Sequence, residues 1–292
     1  MKYLGELAAI MAALTWTVNS MIVERLGRGF SSWALNFLSK FLGFFAVSLL
    51  AFALSGTLMP GASTRQWSLL LMSGVIGFSL GDGFLFAAFQ RLGAKRTLLI
   101  FSANPIVTAI LGWVLLGEEL GIRTMLGTLV AVTGIMVVIL GDMPGTKRKG
   151  DMMGIISALL ATLGQSVGML LSKSGMQGLD AVGAAQIRLV GGTLGTALIL
   201  TVFRKWRDIQ PVLRSPDGRK VVTCSVLLGT LIGMVLAMLA IKMTPVAVAS
   251  ILTSLMPVMI LPISALYLKE KITFRETAGA VIAVAGVSLL FL

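Results

Sequence analysis

Residues 102–134 read SANPIVTAILGWVLLGEELGIRTMLGTLVAVTG, and residues 254–286 read SLMPVMILPISALYLKEKITFRETAGAVIAVAG. Ser102, Pro105, Leu116, Glu118, Arg123, Gly127, Ala131 and Gly134 recur as Ser254, Pro257, Leu268, Glu270, Arg275, Gly279, Ala283 and Gly286, at a constant offset of 152 with no gap. The positions between are mostly apolar in both copies. One template has been used twice in a single chain, and the reading of every other segment follows from that duplication.

The apolar content settles the solvent. Of 292 residues, 57% are hydrophobic and 12% charged, about half the charged fraction of a soluble domain. Apolar runs near 20 residues recur along the chain, long enough to cross a hydrocarbon core of about 30 Å. They do not alternate as the strands of a membrane barrel would. The expected class is an all-α polytopic membrane protein with ten transmembrane helices in two inverted five-helix repeats. The spans fall near 4–23, 33–54, 67–90, 95–116, 122–141, 152–173, 180–203, 221–242, 245–268 and 273–292.

The first span is not read as a removable signal peptide. Gly5, Ile10, Ala13, Leu14 and Thr17 match Gly150, Ile155, Ala158, Leu159 and Thr162 in span six. Likewise Lys40 and Gly43 match Arg188 and Gly191, and Gly77 and Gly81 match Gly229 and Gly233. The halves are 1–141 and 152–292, joined by a linker at 142–151 that carries Lys147, Arg148 and Lys149. The longest loop is near Arg204–Lys220.

Five spans per half, an odd number, turn the second half over in the membrane. Inverted repeats are characteristic of secondary transporters, whose substrate sits near the midplane between the halves. Lys and Arg set the orientation. Loops after odd-numbered spans hold Arg25, Arg28, Arg91, Lys95, Arg96, the Lys147–Lys149 run, six basic residues from Arg204 to Lys220, and Lys269, Lys271 and Arg275. The other side holds only Lys2, Arg65, Arg123, Lys173 and Lys242. The positive-inside rule puts both termini outside the cytoplasm. The net charge of +12 is therefore read as membrane orientation, with no nucleic-acid partner.

Three charges lie inside spans: Lys40, Asp82 and Arg188. Each costs about 2.5–3.5 kcal/mol at a helix centre, so each should face protein or water. Asp82 is the single deep acid. It is a candidate for binding a cation or exchanging a proton, or it pairs with Lys40 or Arg188 to hold helices together. Lys40 and Arg188 are candidates to meet an anionic group such as a carboxylate. The uncharged polar set includes Thr15, Asn19 and Ser20 with Trp16 beside them, Asn36, Asn104, Thr162, Gln165, Gln186, Thr253 and Ser254. These either line a cavity or hydrogen-bond between helices. Substrate-binding candidates are Trp16, Asn19, Lys40, Asp82, Asn104, Gln165, Arg188 and Ser254.

The repeated residues read as scaffold. Pro105 and Pro257 should kink spans four and nine, with Asn104 placed to satisfy a freed carbonyl. Glu118 and Glu270 sit near the start of the next helix and should fix a tight turn with Arg123 and Arg275. Gly77–Gly81 and Gly229–Gly233 are GxxxG pairs, and Gly127–Ala131 and Gly279–Ala283 are small-xxx-small; both let helices approach closely. Met and Phe residues read as core or lipid-facing.

Other chemistries lack their residues. There is no His and one Cys, Cys224, so an internal disulfide is impossible and the usual zinc and haem ligand sets are missing. No P-loop, Ser/His or HExxH pattern is present. The acids are scattered, as a metal-dependent enzyme acting on lipid-linked substrates would not have them. The chain is expected to be neither an enzyme nor a cofactor protein.

The pattern Pro105…Leu116-Gly-Glu118…Gly127…Gly134, repeated as Pro257…Leu268-Lys-Glu270…Gly279…Gly286, resembles the drug/metabolite transporter superfamily and within it the EamA-type ten-helix exporters. The basic residues Lys40 and Arg188 fit as well. The resemblance implies a central cavity lined by spans one to four and six to nine, with spans five and ten peripheral. It implies traffic in amino acids, other metabolites, nucleotide sugars or drugs, often outward. Many members resemble a termini-inside arrangement, whereas the loop after span two here holds only Arg65.

The reading that emerges is a secondary transporter in the plasma (inner) membrane. It is an exporter or exchanger of a small polar metabolite such as an amino acid, working by alternating access. Proton coupling through Asp82 is a subsidiary expectation. The expected partners are the lipid bilayer, a small-molecule substrate and protons, with the chain as monomer or homodimer. The alternative is a passive channel or a non-transporting membrane partner.

Overall fold

The computed structural model describes residues 3–101, 103–117, 121–141, 152–268 and 273–289. All regular structure among them is helical. The helices are α1 Leu4–Leu26, α2 Ser32–Ser55, α3 Thr64–Leu92, α4 Ala94–Phe101, α5 Asn104–Leu116, α6 Ile122–Gly141, α7 Met152–Gly175, α8 Ala181–Val202, α9 Ile209–Arg214, α10 Pro216–Met243, α11 Val246–Thr253, α12 Met256–Leu268 and α13 Phe274–Ser288. Seven helical stretches among the described residues are long and apolar enough to cross a membrane, and three shorter apolar helices accompany them. The chain is a polytopic helical membrane protein. Glu118, Glu270, Ser102 and the 142–151 linker lie outside the described residues.

Local signals place the helix ends. Ser63 caps α3 with a capping box: the Gln66 side chain accepts from Ser63 N at 2.7 Å, and Gln66 N donates back to Ser63 Oγ. Asp180 Oδ1 accepts from Gly183 N at 2.8 Å to start α8. Gly56 and Gly117 close α2 and α5 at φ 70° and 65°, a left-handed conformation that glycine adopts without a Cβ penalty. The loop expected at Arg204–Lys220 is instead mostly helical: a 3₁₀ turn at Trp206–Asp208, then α9, then α10 beginning at Pro216.

Two irregularities recur at the repeat offset. The middle of α3, Gly74–Gly81, and the middle of α10, Ser225–Met234, are π-helical. The extra residue per turn rotates everything beyond it by roughly 100° relative to a continuous α-helix. The second irregularity is a break. Spans four and nine, expected as kinked single helices, are each two helices: α4 ends at Phe101 and α5 begins at Asn104, and α11 and α12 part at Ser254–Leu255. Pro105 and Pro257 each occupy the second position of the following helix, where the missing N–H has no intrahelical partner to lose. They restart a helix after a break.

Small residues let the helices touch backbone to backbone. A Cβ on Gly134 of α6 would lie 2.2 Å from Ala283 N of α13; a Cβ on Gly286 of α13 would lie 2.3 Å from Ala131 N of α6. Gly134 and Gly286 are repeat equivalents, as are Ala131 and Ala283, so the contact is reciprocal. Advancing from 131 to 134 on α6 retreats from 286 to 283 on α13, and the two helices run antiparallel. α3 and α7 are antiparallel too: Ser73 donates to Gly168 O at 2.6 Å, while a Cβ on Gly81 would meet Gln165 N at 3.4 Å. So are α10 and α1, where Ser225 meets Asn19 at one end and Thr244 faces Gly5 at the other.

The glycine pairs divide in their use. Gly81 admits the backbone of α7, and Gly77 admits both that backbone and the Arg188 guanidinium, whose Nη2 would lie 3.1 Å from a Cβ there. Gly229 and Gly233 admit side chains instead, with Asn19 Nδ2 and Trp16 Nε1 where a Cβ would stand.

Gly134→Leu should force α6 and α13 apart and lower stability by about 2–3 kcal/mol, the upper range of core overpacking. Gly286→Leu should cost a similar amount. Because both act on one contact, the double variant should cost clearly less than their sum, read as the thermal unfolding midpoint in lipid nanodiscs.

Candidate functional site

A cavity of about 110 Å³ lies where α1, α2, α3, α7, α8 and α10 meet the broken pairs α4/α5 and α11/α12. That is room for on the order of eight ordered waters, the bulk of a small metabolite. Its wall includes Trp16, Asn19, Lys40, Asp82, Asn104, Gln165 and Arg188. Seven of the eight candidate binding residues, scattered over six helices, therefore share one space. Ser254 does not reach it. It sits at the α11/α12 break, 4% exposed, with its Oγ unpartnered among the described residues; its neighbour Thr253 lines the cavity.

The π-helical turns shape the two flanks of this space alike. Trp16 Nε1 donates to Gly229 O at 2.9 Å. Across the repeat, Gln165 Nε2 lies 3.4 Å from Gly77 O, the equivalent carbonyl. Asn36 Nδ2 donates to Phe78 O at 2.8 Å and Ser79 O at 3.1 Å. In hydrocarbon a bare carbonyl costs several kcal/mol, so side chains from the facing helices take up the groups that the wide turns present.

Asp82 begins the α-helical stretch just past the π turn of α3. Its Oδ2 lies 2.6 Å from Lys40 Nζ, and its Oδ1 accepts from the Gln165 amide. Both carboxylate oxygens are engaged. Of the two pairings open from sequence, the structure forms Lys40–Asp82 and leaves Arg188 outside it. Arg188, 2% exposed, lays its guanidinium 3.9 Å from the centre of the Phe78 ring, with Lys40 Nζ 4.9 Å from that centre. Arg188 Nη1 donates to Met238 Sδ at 3.3 Å, a weak acceptor. Its Nε and Nη2 have no partner among the described residues. Together these three charges leave one positive charge on the cavity wall.

The remaining polar residues separate into two uses. Asn104 joins a network across the cavity: its Nδ2 donates to Ser250 Oγ at 3.1 Å and its Oδ1 accepts from Ser166 Oγ at 2.6 Å. Among the described residues its side-chain partners are Ser250, Ser166 and Thr108, not the freed carbonyl expected from its place before Pro105. The local backbone bonds across the turn, Ala103 N donating to Ile100 O at 3.2 Å, and Asn104 bonds the serines of α7 and α11. Asn19 accepts from Ser225 Oγ at 2.9 Å. Thr15, Ser20 and Thr162 donate to carbonyls of their own helix, Ser20 while lining the cavity, and Gln186 ties α8 to Ser48 and Leu58 O.

Sequence reasoning missed the apolar lining. Phe78, Phe86, Phe89, Met169 and Met238 wall the cavity, although Met and Phe read as core or lipid-facing. In a helix apolar on every side, periodicity does not distinguish the cavity face from the lipid face. The one available signal was proximity along the helix to a charge, as Phe78 and Phe86 flank Asp82 by four residues.

The EamA-like transporter family model matches this chain twice, over residues 3–140 and 152–292. An uncharacterized transporter of Archaeoglobus fulgidus is 25% identical over 293 residues, covering 98% of this chain and 97% of its own. The uncharacterized transporter YetK of Bacillus subtilis is 23% identical, covering 98% and 86%. A solved structure described as "Crystal structure of protein" shares the fold, with a TM-score of 0.76 at 17% identity over 99% and 97% of the two chains. With both halves matched, the chain belongs to the EamA-like transporter family.

Proposed function

We propose that this membrane transporter is a secondary carrier of ten spans in two inverted halves, moving a small polar metabolite by alternating access. The observation that carries the reading is the cavity at the meeting of the halves, bounded on equivalent flanks by π turns and broken helices. The antiparallel contact between the equivalent helices α6 and α13 supports the inversion, since an odd number of crossings per half sets equivalent spans antiparallel. Substrate sits among Trp16, Asn19, Asn104, Gln165 and the charges of the wall. The α4/α5 and α11/α12 breaks are the hinges on which each side closes in turn. The location is the plasma membrane with both termini extracytoplasmic, and transport is outward or by exchange.

The Lys40–Asp82 pair is the proton-sensitive element of this scheme. A proton on Asp82 would remove the attraction that holds Lys40 and so link α2 to α3 less tightly. Carrier behaviour is tested in proteoliposomes: saturable uptake accelerated by solute preloaded on the far side is expected, whereas non-saturable flux without such counterflow indicates a pore. For coupling, a pH gradient should drive solute movement by the wild type and not by Asp82→Asn; unchanged coupling in the variant sinks that role.

Removing one partner of a buried pair strands the other. Asp82→Asn should lower stability by about 3 kcal/mol, and adding Lys40→Met should recover most of the loss, as read by thermal unfolding in nanodiscs. For orientation, single cysteines at Tyr3 and Arg28, in a Cys224→Ser background, should react with a membrane-impermeant thiol reagent from opposite sides, Tyr3 from outside.

A further inference from the structure

We infer that the turn after α8 is a binding site for an anionic phospholipid, with the headgroup at Arg204, Lys205 and Arg207 and an acyl chain on the aromatic face of α2. The site is separate from the cavity, and it stands or falls independently of the carrier reading.

The end of α8 is closed by an unusual residue. Lys205 N donates to Leu200 O at 2.8 Å and Arg204 N to Thr201 O at 3.1 Å. That pair of bonds ends a helix through one left-handed residue, usually glycine. Gly56 and Gly117 take the conformation at the ends of α2 and α5. Here the residue is Arg204 at φ 53°, the one non-glycine residue with positive φ among the described residues. A Cβ is disfavoured in that conformation, so backbone geometry does not account for an arginine. Contacts within the protein do not account for it either. Arg204, Lys205 and Arg207 are exposed, and their side chains have no hydrogen bond or ion pair among the described residues. A strained backbone position kept beside unpaired charge points to a ligand outside the fold.

Trp206 fixes the depth of the turn. Its ring is 43% exposed and meets Phe37 edge-on at 5.2 Å, and its Nε1 donates to Thr201 Oγ1 at 3.0 Å. A tryptophan beside arginine and lysine at the end of a span belongs at the membrane–water boundary. From Phe37 an aromatic column runs along α2: Phe37 stacks on Phe41 at 5.6 Å, and Phe41 meets Phe45 at 5.1 Å. Phe41 and Phe45 are exposed, which on a spanning helix means exposed to acyl chains. Beyond the turn, α9 buries Val212, so the basic segment lies along the protein surface instead of reaching into water. The stretch Arg204–Lys220 carries six cations against Asp208 and Asp217, and Asp217 lies 4.0 Å from Lys220. Charge complementarity selects an anionic lipid over a zwitterionic one, and the aromatic column selects a lipid over a free phosphate. Bound there, the lipid pins the end of α8, which carries Arg188, against α2, which carries Lys40.

The test uses the full chain in phosphatidylcholine nanodiscs doped with phosphatidylglycerol brominated on its acyl chains, which quenches tryptophan fluorescence on contact. The share of quenching that Trp206→Phe removes reports this site. It should reach half its maximum at a mole fraction about fivefold lower for brominated phosphatidylglycerol than for brominated phosphatidylcholine, the ratio expected of one basic contact. Added salt should shrink that preference. Lys205→Gln/Arg207→Gln should abolish it, whereas Arg25→Gln/Arg28→Gln, which removes equal charge from the end of α1, should leave it. Arg204→Gly should weaken the preference yet unfold no earlier than the wild type in phosphatidylcholine alone, because glycine adopts the left-handed conformation freely. No preference for the anionic lipid overturns the site, as does a preference that salt leaves unchanged. Equal loss in both double variants reduces it to diffuse surface charge and overturns it as well. Relief of the quenching by soluble glycerol phosphate at matched ionic strength overturns the lipid as the ligand. An Arg204→Gly protein that unfolds earlier shows that the arginine is structural and overturns its assignment.

Discussion

In a bilayer the backbone has no water to bond, and that constraint organises this molecule. Most of the chain obeys it by running as unbroken helix. The cavity lies where the chain departs from it: the π turns of α3 and α10, the break between α4 and α5, and the break at Ser254–Leu255. The π turns present carbonyls that need a donor. Trp16 and Gln165 serve the equivalent carbonyls of Gly229 and Gly77, and Asn36 serves Phe78 and Ser79. Trp16 on α1 and Gln165 on α7 are thereby fixed in the wall of the space that the irregular turns create, and Asn36 on α2 lies buried behind it.

Glycine makes those contacts reachable. Gly77 and Gly81 bring α3 onto the backbone of α7, close enough for Gln165 to reach both a carbonyl and Asp82. Gly229 and Gly233 leave a seat for Trp16 and Asn19. The two halves thus use one motif for two ends, backbone approach in the first and side-chain insertion in the second. The polar equipment of the cavity is asymmetric as a result, with an acid at Asp82 and a methionine at its equivalent, Met234.

Electrostatics adds a second asymmetry to a symmetric frame. Lys40 and Arg188 are equivalent by repeat and both approach Phe78, yet a single carboxylate serves them. It has gone to Lys40, with Gln165 completing its coordination. Arginine is the better of the two to leave without an acid, because its charge is delocalised and its face can rest on an aromatic ring.

The sequence by itself determined the membrane class, the duplication and the existence of the charged trio. Apolar run length, an eight-residue match and the rarity of intramembrane charge are properties of composition and order, which survive without coordinates. It also placed Trp16, Asn19, Lys40, Asp82, Asn104, Gln165 and Arg188 among the candidates, because polar atoms in apolar helices stand out. Only the tertiary structure decided which cation takes Asp82, that Ser254 lies off the cavity, that Asn104 bonds Ser166 and Ser250 instead of a freed carbonyl, and that Phe78 and Met238 line the site. Those outcomes depend on helix rotation and on contacts between helices far apart in the chain. A π turn moves every following side chain by about 100°, and nothing in a uniformly apolar pattern records where such a turn occurs.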